Sequence, residues 1–339
     1  MSGLGKLAGI LSTAALGAGA AAYIRYRTEM RAIRAAIEAG GTLAQTSAGP
    51  IEYAEEGEGQ PLLLIHGAGG GYDQGLLVGR DIGADFRVIA PSRFGYLGTP
   101  VPANISPAAQ ADAHAALLDH LGIDRAIVAG VSAGGPSAIE FALRHAERTA
   151  ALILLVPRTY DPTGSVGVDQ SAPSQAVLRL IEASADFLYW AAIPTARSAI
   201  IRFLGVPPEV EARASDEDRA RVTEIIRSVL PLSDRVRGIA VDSATELSRW
   251  PLERLRAPTL IVSAKDDLFK TLPGARFTAE HIRSSELKVL EDGGHLMVGH
   301  GREVSDWVTD FLQRHQVAAK GRPARRKESV ATRVAEPVD

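Results

Sequence analysis

A single hydroxyl set between two glycines, in Gly130-Val131-Ser132-Ala133-Gly134, has the residue types and spacing for nucleophilic attack on a carbonyl. An apolar run ending at Ala129 precedes it, and apolar residues at helical spacing follow it from Ser137 to His145. A serine on so tight a strand-to-helix turn presents its hydroxyl outward. A side chain at either flanking glycine would collide with neighbouring backbone. Alone the pentapeptide is a weak signal in a chain with 33 glycines. It gains weight only if an oxyanion site, an acid and a histidine stand in order around it.

His66-Gly67-Ala68-Gly69-Gly70-Gly71 directly follows the apolar run of residues 62–65. Glycines there let backbone N–H groups approach a ligand. A nucleotide-phosphate loop would end in Gly-Lys-Ser/Thr or show Gly-x-Gly-x-x-Gly spacing, and neither occurs. An oxyanion loop fits better, with the N–H near Ala68 pairing with that of Ala133. Losing one such donor typically costs about 3 kcal/mol of barrier. For the acid, residues 259–263 lead into Ala264-Lys265-Asp266-Asp267-Leu268. Either carboxylate can orient a histidine; Asp267 is preferred, Asp266 is its substitute, and Asp161 is a more distant rival. Of eight histidines, His295 follows Glu291-Asp292-Gly293-Gly294 just past a strand, and His300 is its serious rival. His66 belongs to the glycine loop and braces it. His114, His120, His145, His281 and His315 lie on predicted helices, where a surface role is the default. The order Ser132, Asp267, His295 is that of the nucleophile-elbow hydrolases.

The elements that must hold these residues alternate. Short extended segments at 42–46 and 50–54 precede buried runs at 61–65, 87–91, 126–129, 150–156, 259–263 and 287–290. Such runs suit strands covered on both faces of a parallel sheet. Helices are expected between them, one opened by Ser106-Pro107 as cap and first-turn proline, and one closing the chain at 303–315. The interval 157–256 breaks the alternation with helical segments at 174–193, 195–204 and 215–230. Its Phe187, Tyr189, Trp190, Ile193, Ile200, Ile201 and Phe203 suit either an apolar pocket wall or the insert's own core. The pattern predicts an α/β fold. Its expected parts are an anchor and charged helix at 1–41, a core of 42–156 and 257–315, a helical cap at 157–256, and a basic disordered tail at 316–339.

The chain has 339 residues, 46% apolar and 23% charged, with a net charge of -3, which gives no footprint for nucleic acid. The absence of cysteine excludes disulfides, a thiol nucleophile and cysteine-held metal. No His-Glu-x-x-His pattern points to a metal hydrolase, and neither metal nor cofactor is expected. Residues 7–24 carry no charge, with Lys6 before them and Arg25, Arg27, Arg31 and Arg34 after. Their length is near the minimum for a membrane span, so a single-pass anchor with an inward-facing, cytoplasmic catalytic domain is expected. Export after cleavage near Ala18-Gly19-Ala20 is the alternative.

The chain resembles the α/β-hydrolase fold superfamily over residues 42–315, in its serine esterase or lipase-like branch. The matching stretches are 62–71, 91–98, 130–135, 257–267 and 293–295. The resemblance implies an eight-stranded, mostly parallel sheet flanked by helices, with a helical cap inserted before the acid-bearing strand. It places the acid three residues after a small residue ending that strand, which is Asp267 counted from Ala264. Two positions depart from the pattern. Ser92 stands where the family often has aspartate, and Ala264 replaces a frequent glycine. A serine at the elbow argues against the dehalogenase and epoxide hydrolase activities of this superfamily, which use a carboxylate nucleophile.

These expectations assemble into one mechanism. Ser132 attacks a small-molecule carboxylic ester, lipophilic or with a small acyl group, to form an acyl-enzyme; His295 takes its proton, Asp267 holds the ring, and the Ala68 and Ala133 N–H groups receive the oxyanion. Carbon–carbon bond hydrolysis, lactone hydrolysis and acyl transfer use the same residues. A non-catalytic binding protein on this fold is the alternative of another class.

Overall fold

Leu62 and Leu64 pack into one apolar cluster and Leu63 and Ile65 into another. A strand with period two and no polar face must be covered on both sides. The computed structural model describes residues 2–83 and 85–317, with side chains from Gly17 onward. Its sheet has eight strands: β1 (Thr42–Thr46), β2 (Gly49–Glu56), β3 (Gln60–Ile65), β4 (Phe86–Pro91), β5 (Ala126–Val131), β6 (Thr149–Leu155), β7 (Thr259–Ala264) and β8 (Ser285–Leu290). Their order is β1-β2-β4-β3-β5-β6-β7-β8. The β1–β2 and β2–β4 pairs are antiparallel, and every other pair is parallel. The carboxyl ends of β3, β5, β7 and β8 therefore share one edge, where ligands of open α/β sheets bind.

Twelve α-helices occur among the described residues. Those before β6 are α1 (Ser2–Gly40), α2 (Tyr72–Ile82), α3 (Pro107–His120) and α4 (Gly135–Arg144). Between β6 and β7 come α5 (Ala172–Glu182), α6 (Asp186–Thr195), α7 (Arg197–Phe203), α8 (Pro208–Ala212), α9 (Asp216–Ser228) and α10 (Val236–Ala244), and then α11 (Leu272–His281) and α12 (Gly301–Arg314) follow β7 and β8. Helices α3, α4 and α11 cover one sheet face, and α2 and α12 the other. Ser106 caps α3 by accepting from the Ala109 N–H at 3.2 Å.

The helix expected over 174–193 is two helices. Ser184 takes a positive φ of 50°, and the Asp186 carboxylate is captured by the Ser233 N–H and hydroxyl, at 3.2 and 2.7 Å. That tertiary pull outweighs helix propensity, which is a weak determinant. Tyr189, Ile193, Ile200 and Ile201 are buried within the insert's own cluster. Of the basic tail expected at 316–339, residues 318–339 lie outside the described ones.

The N-terminal segment requires a correction. Among the described residues no helix is long and apolar enough to cross a membrane. The expected single-pass anchor at residues 7–24, the membrane as a partner, and the cytoplasmic placement derived from them are overturned. Residues 7–24 are mostly Ala and Gly, whose transfer into hydrocarbon yields little beside Leu or Ile. The later turns of α1 are tied to the insert instead. Met30 is buried in its cluster, Trp190 Nε1–H donates to Glu29 at 2.9 Å, and Arg34 reaches Asp234 and Ser233 at 3.2 and 3.0 Å.

His114, expected at a helix surface, is fully buried on α3 with neither ring nitrogen paired. Burial, aided by the Arg93 charge, pushes its pKa down to about 3. His66 is depressed for the same reasons. Both stay neutral in the native state while the unfolded chain takes up protons below about pH 6.5. Stability therefore falls as pH falls from there, by about 1.4 kcal/mol per pH unit for each buried histidine. We expect His114→Leu to remove one proton's share of that slope between pH 6.5 and 5, measured by urea unfolding at stepped pH. Parallel curves for the two proteins would contradict this assignment.

Candidate active site

Ser132 follows β5 directly and takes a φ of 49°, a conformation an L-residue adopts only under strain. The crowding around it explains the glycines. A Cβ at Gly134 would lie 2.4 Å from the Ile65 carbonyl oxygen, and one at Gly130 would lie 2.6 Å from the Ala138 Cβ. The turn thus packs against β3, on which the glycine loop begins. A 3-10 turn over Ser132–Gly134 then leads into α4.

The acid and the histidine are brought together at the same edge. His295 Nδ1 lies 2.9 Å from Asp267 Oδ2, and both side chains are buried. Asp267 also accepts from the Phe269 N–H at 2.8 Å and from the Thr271 hydroxyl. Burial raises the Asp267 carboxyl, but the His295 charge and these hydrogen bonds outweigh it and hold the group below its ordinary range. The carboxylate is therefore ionised at neutral pH and accepts a hydrogen bond from Nδ1–H, the tautomer that leaves Nε2 as the ring's acceptor nitrogen. No hydrogen bond joins the Ser132 hydroxyl to His295 among the described residues. The residues are gathered at one sheet edge.

The rival residues are engaged elsewhere. Asp266 accepts from the Gly294 N–H at 2.8 Å, which staples the acid loop to the histidine loop. Asp161 accepts from Thr163 and Ser165 in its own loop. His300 is shared between Asp292 and Glu303, at 2.9 and 2.8 Å.

The glycine loop is held from several sides. The Arg93 N–H donates to His66 Nε2 at 3.0 Å, so Nδ1 carries the ring proton and donates to the Gly67 carbonyl at 2.7 Å. The Gly69 N–H donates to the Tyr96 hydroxyl at 3.1 Å. The Ala68 N–H makes no hydrogen bond among the described residues. Ala68 is exposed, and Ala133 lies buried just after Ser132.

Sequence reasoning missed the supports of this loop. Arg235, entirely buried at the start of α10, donates to the Gly70 carbonyl and binds Asp73 at 2.7 Å. Asp242, on the same helix, binds both Arg93 nitrogens at 2.5 and 2.7 Å and accepts from Tyr96. Arg93 in turn reaches the Gly67 carbonyl at 3.1 Å. Neither Arg235 nor Asp242 sits in a motif. The only sequence signal was their charge in a helical, partly apolar segment, which does not separate a buried ion from a solvated one.

The Alpha/beta hydrolase family matches residues 62–307. An uncharacterised hydrolase, YcgS, of Bacillus subtilis is 27% identical over 76% of this chain and 92% of its own length. The 2-hydroxy-6-oxo-6-phenylhexa-2,4-dienoate hydrolase of Comamonas testosteroni is 27% identical over 72% of this chain and 84% of its own. Among solved structures, an alpha/beta hydrolase fold protein from Nakamurella multipartita superposes with a TM-score of 0.65 at 26% identity, covering 81% of this chain and 99% of that one. The chain belongs to the alpha/beta hydrolase family. It is an enzyme, which sets aside the non-catalytic alternative.

Proposed function

We propose that this hydrolase cleaves neutral carboxylic esters through an acyl-enzyme on Ser132. The observation that carries the reading is Ser132 held at φ 49° on the sheet edge where Asp267 binds the His295 ring at 2.9 Å. Strain at a serine on the same sheet edge as a buried histidine–carboxylate pair is costly to maintain and supports its reading as a presented nucleophile. In the first step His295 Nε2 takes the Ser132 proton as Oγ adds to the carbonyl carbon. Asp267 keeps the ring in the required tautomer and stabilises its charged form. The Ala68 and Ala133 N–H groups receive the oxyanion. The intermediate collapses as His295 protonates the departing alcohol, and water, activated by the same histidine, releases the acid.

Carbon–carbon bond hydrolysis is the second reading, supported by the dienoate hydrolase relative. A dienoate carries a carboxylate, which calls for a cation in the site. The guanidiniums beside the glycine loop and the nucleophile are already committed. Arg93 is held by Asp242 and Arg235 by Asp73, while Arg158 donates to the Asp242 and Thr245 carbonyls at 3.1 and 3.0 Å. That commitment favours the neutral ester.

p-Nitrophenyl acetate, butyrate and octanoate should each give a burst of nitrophenol close to one equivalent of enzyme. A fluorophosphonate should label Ser132 alone. No burst and no label would overturn the ester reading. Turnover of a 2-hydroxy-6-oxo-dienoate at a higher kcat/KM than any ester would select the second.

A further inference from the structure

Gly205 ends α7 in a helix stop of defined geometry. The Val206 N–H donates to the Ile201 carbonyl at 3.1 Å and the Gly205 N–H to the Arg202 carbonyl at 3.0 Å. Gly205 itself takes a φ of +80°. That pattern is a Schellman cap, which accounts for a glycine but says nothing about its carbonyl. The Gly205 carbonyl accepts from the Leu268 N–H and the His295 N–H, both at 3.0 Å. Leu268 is the residue after Asp267. One oxygen of the helical insert therefore holds the acid loop and the histidine loop at once, using both of its lone pairs.

The packing around that oxygen leaves no slack. A Cβ at Gly205 would lie 2.6 Å from the His295 Cβ and 2.9 Å from the Phe269 ring. Phe269 meets His295 edge to face, with centroids 4.5 Å apart. A Cβ at Gly294 would lie 2.7 Å from the Val206 Cα. From the core side, Asp266 staples the same two loops through the Gly294 N–H. The pair is thus bracketed by one hydrogen-bonded link from the core and another from the insert.

We propose that Gly205 is a positioning residue, whose carbonyl makes the geometry of the Asp267–His295 pair depend on the seating of the insert. The inference rests on the catalytic reading of that pair. His295→Ala tests the reading separately, since retained turnover in that variant would remove the pair from the mechanism whatever Gly205 does.

Gly122 provides a matched control. It closes α3 with the same pair of bonds, Ile123 N–H to Leu118 and Gly122 N–H to Asp119, at a φ of +64° and with no atom within 4 Å of a Cβ there. Gly122→Ala should shift the unfolding midpoint and leave kcat unchanged. Gly205→Ala should lower kcat roughly 100-fold, the usual consequence of about 1 Å of misplacement. KM should stay within about threefold, and the low-field proton resonance of His295 Nδ1–H should shift or vanish. Gly205→Asn is the decisive variant, because asparagine tolerates the left-handed cap but still carries a Cβ. It should be as inactive as Gly205→Ala. Asparagine restoring kcat, or a rise in KM alone, would overturn the proposal. If neither variant folds, hydrogen exchange of the intact protein decides. The Leu268 and His295 amides should open together with equal protection and equal denaturant dependence. Independent opening would refute a shared acceptor.

Discussion

Ser132→Ala is expected to lower kcat by roughly 10⁴- to 10⁶-fold, as removal of a nucleophile does where nucleophile and base act as a unit. KM and the unfolding midpoint should barely move. Among the described residues the hydroxyl carries no hydrogen bond, and alanine suffers the same φ of 49°. Glycine at this position separates function from strain. Ser132→Gly loses the nucleophile equally, yet relieves a left-handed conformation that costs an L-residue about 1–2 kcal/mol. Part of that gain is offset by the greater freedom of glycine in the unfolded chain. A net rise in stability of about 1 kcal/mol, seen in urea unfolding, alongside the full loss of burst and steady-state turnover, is the expected pair of results. Turnover within tenfold of the parent in either variant would remove Ser132 from the mechanism. A Ser132→Gly protein less stable than Ser132→Ala would show that the turn is not strained.

The central strands were legible because β3, β5, β6 and β7 are largely apolar runs of the right length, whereas β1, β2 and β8 carry polar or charged residues among the apolar ones. Leu62 to Ile65 must be covered on both faces whatever the partner. The candidate site residues could be nominated for a related reason. Ser132, Asp267 and His295 each sit just beyond such a run, at positions where chain order alone constrains chemistry. The insert was not legible at this level. Its helices were visible, but their breaks depend on tertiary capture, as Ser233 captures Asp186. The N-terminal segment misled because absence of charge was read as affinity for lipid. Alanine and glycine lack charge without being strongly apolar, and helix α1 finds its partners in Trp190, Arg227 and Asp234. The buried histidine on α3 was missed because a helix's polar residue is taken to face water until packing is known.

Asp242→Ala is expected to cost about 3–5 kcal/mol of stability, the usual penalty for leaving one partner of a buried ion pair uncompensated. Arg93 and Asp242 side chains are only 6% and 10% exposed. Without the carboxylate, the Arg93 guanidinium keeps the Gly67 carbonyl and the Tyr96 side chain it faces, and among the described residues its Nε is already unpaired. The effect should reach the reaction because the same cluster sets the glycine loop. Tyr96, released from Asp242, no longer fixes the oxygen that receives the Gly69 N–H. Arg93, free to move, no longer fixes Gly67. A shift of about 1 Å in the loop should lower kcat roughly 100-fold. Stability and positioning can be pulled apart by removing both charges. Replacing a buried pair with apolar residues of similar volume is often neutral or stabilising, so Arg93→Met with Asp242→Leu should regain most of the lost stability. It should not regain kcat, since neither replacement can hold the Gly67 carbonyl or the Tyr96 hydroxyl. A double variant as stable and as active as the parent would show that the ion pair only fills space beneath the loop. An Asp242→Ala protein with an unchanged unfolding midpoint would show that water compensates the guanidinium, and that α10 does not act on the glycine loop through this route.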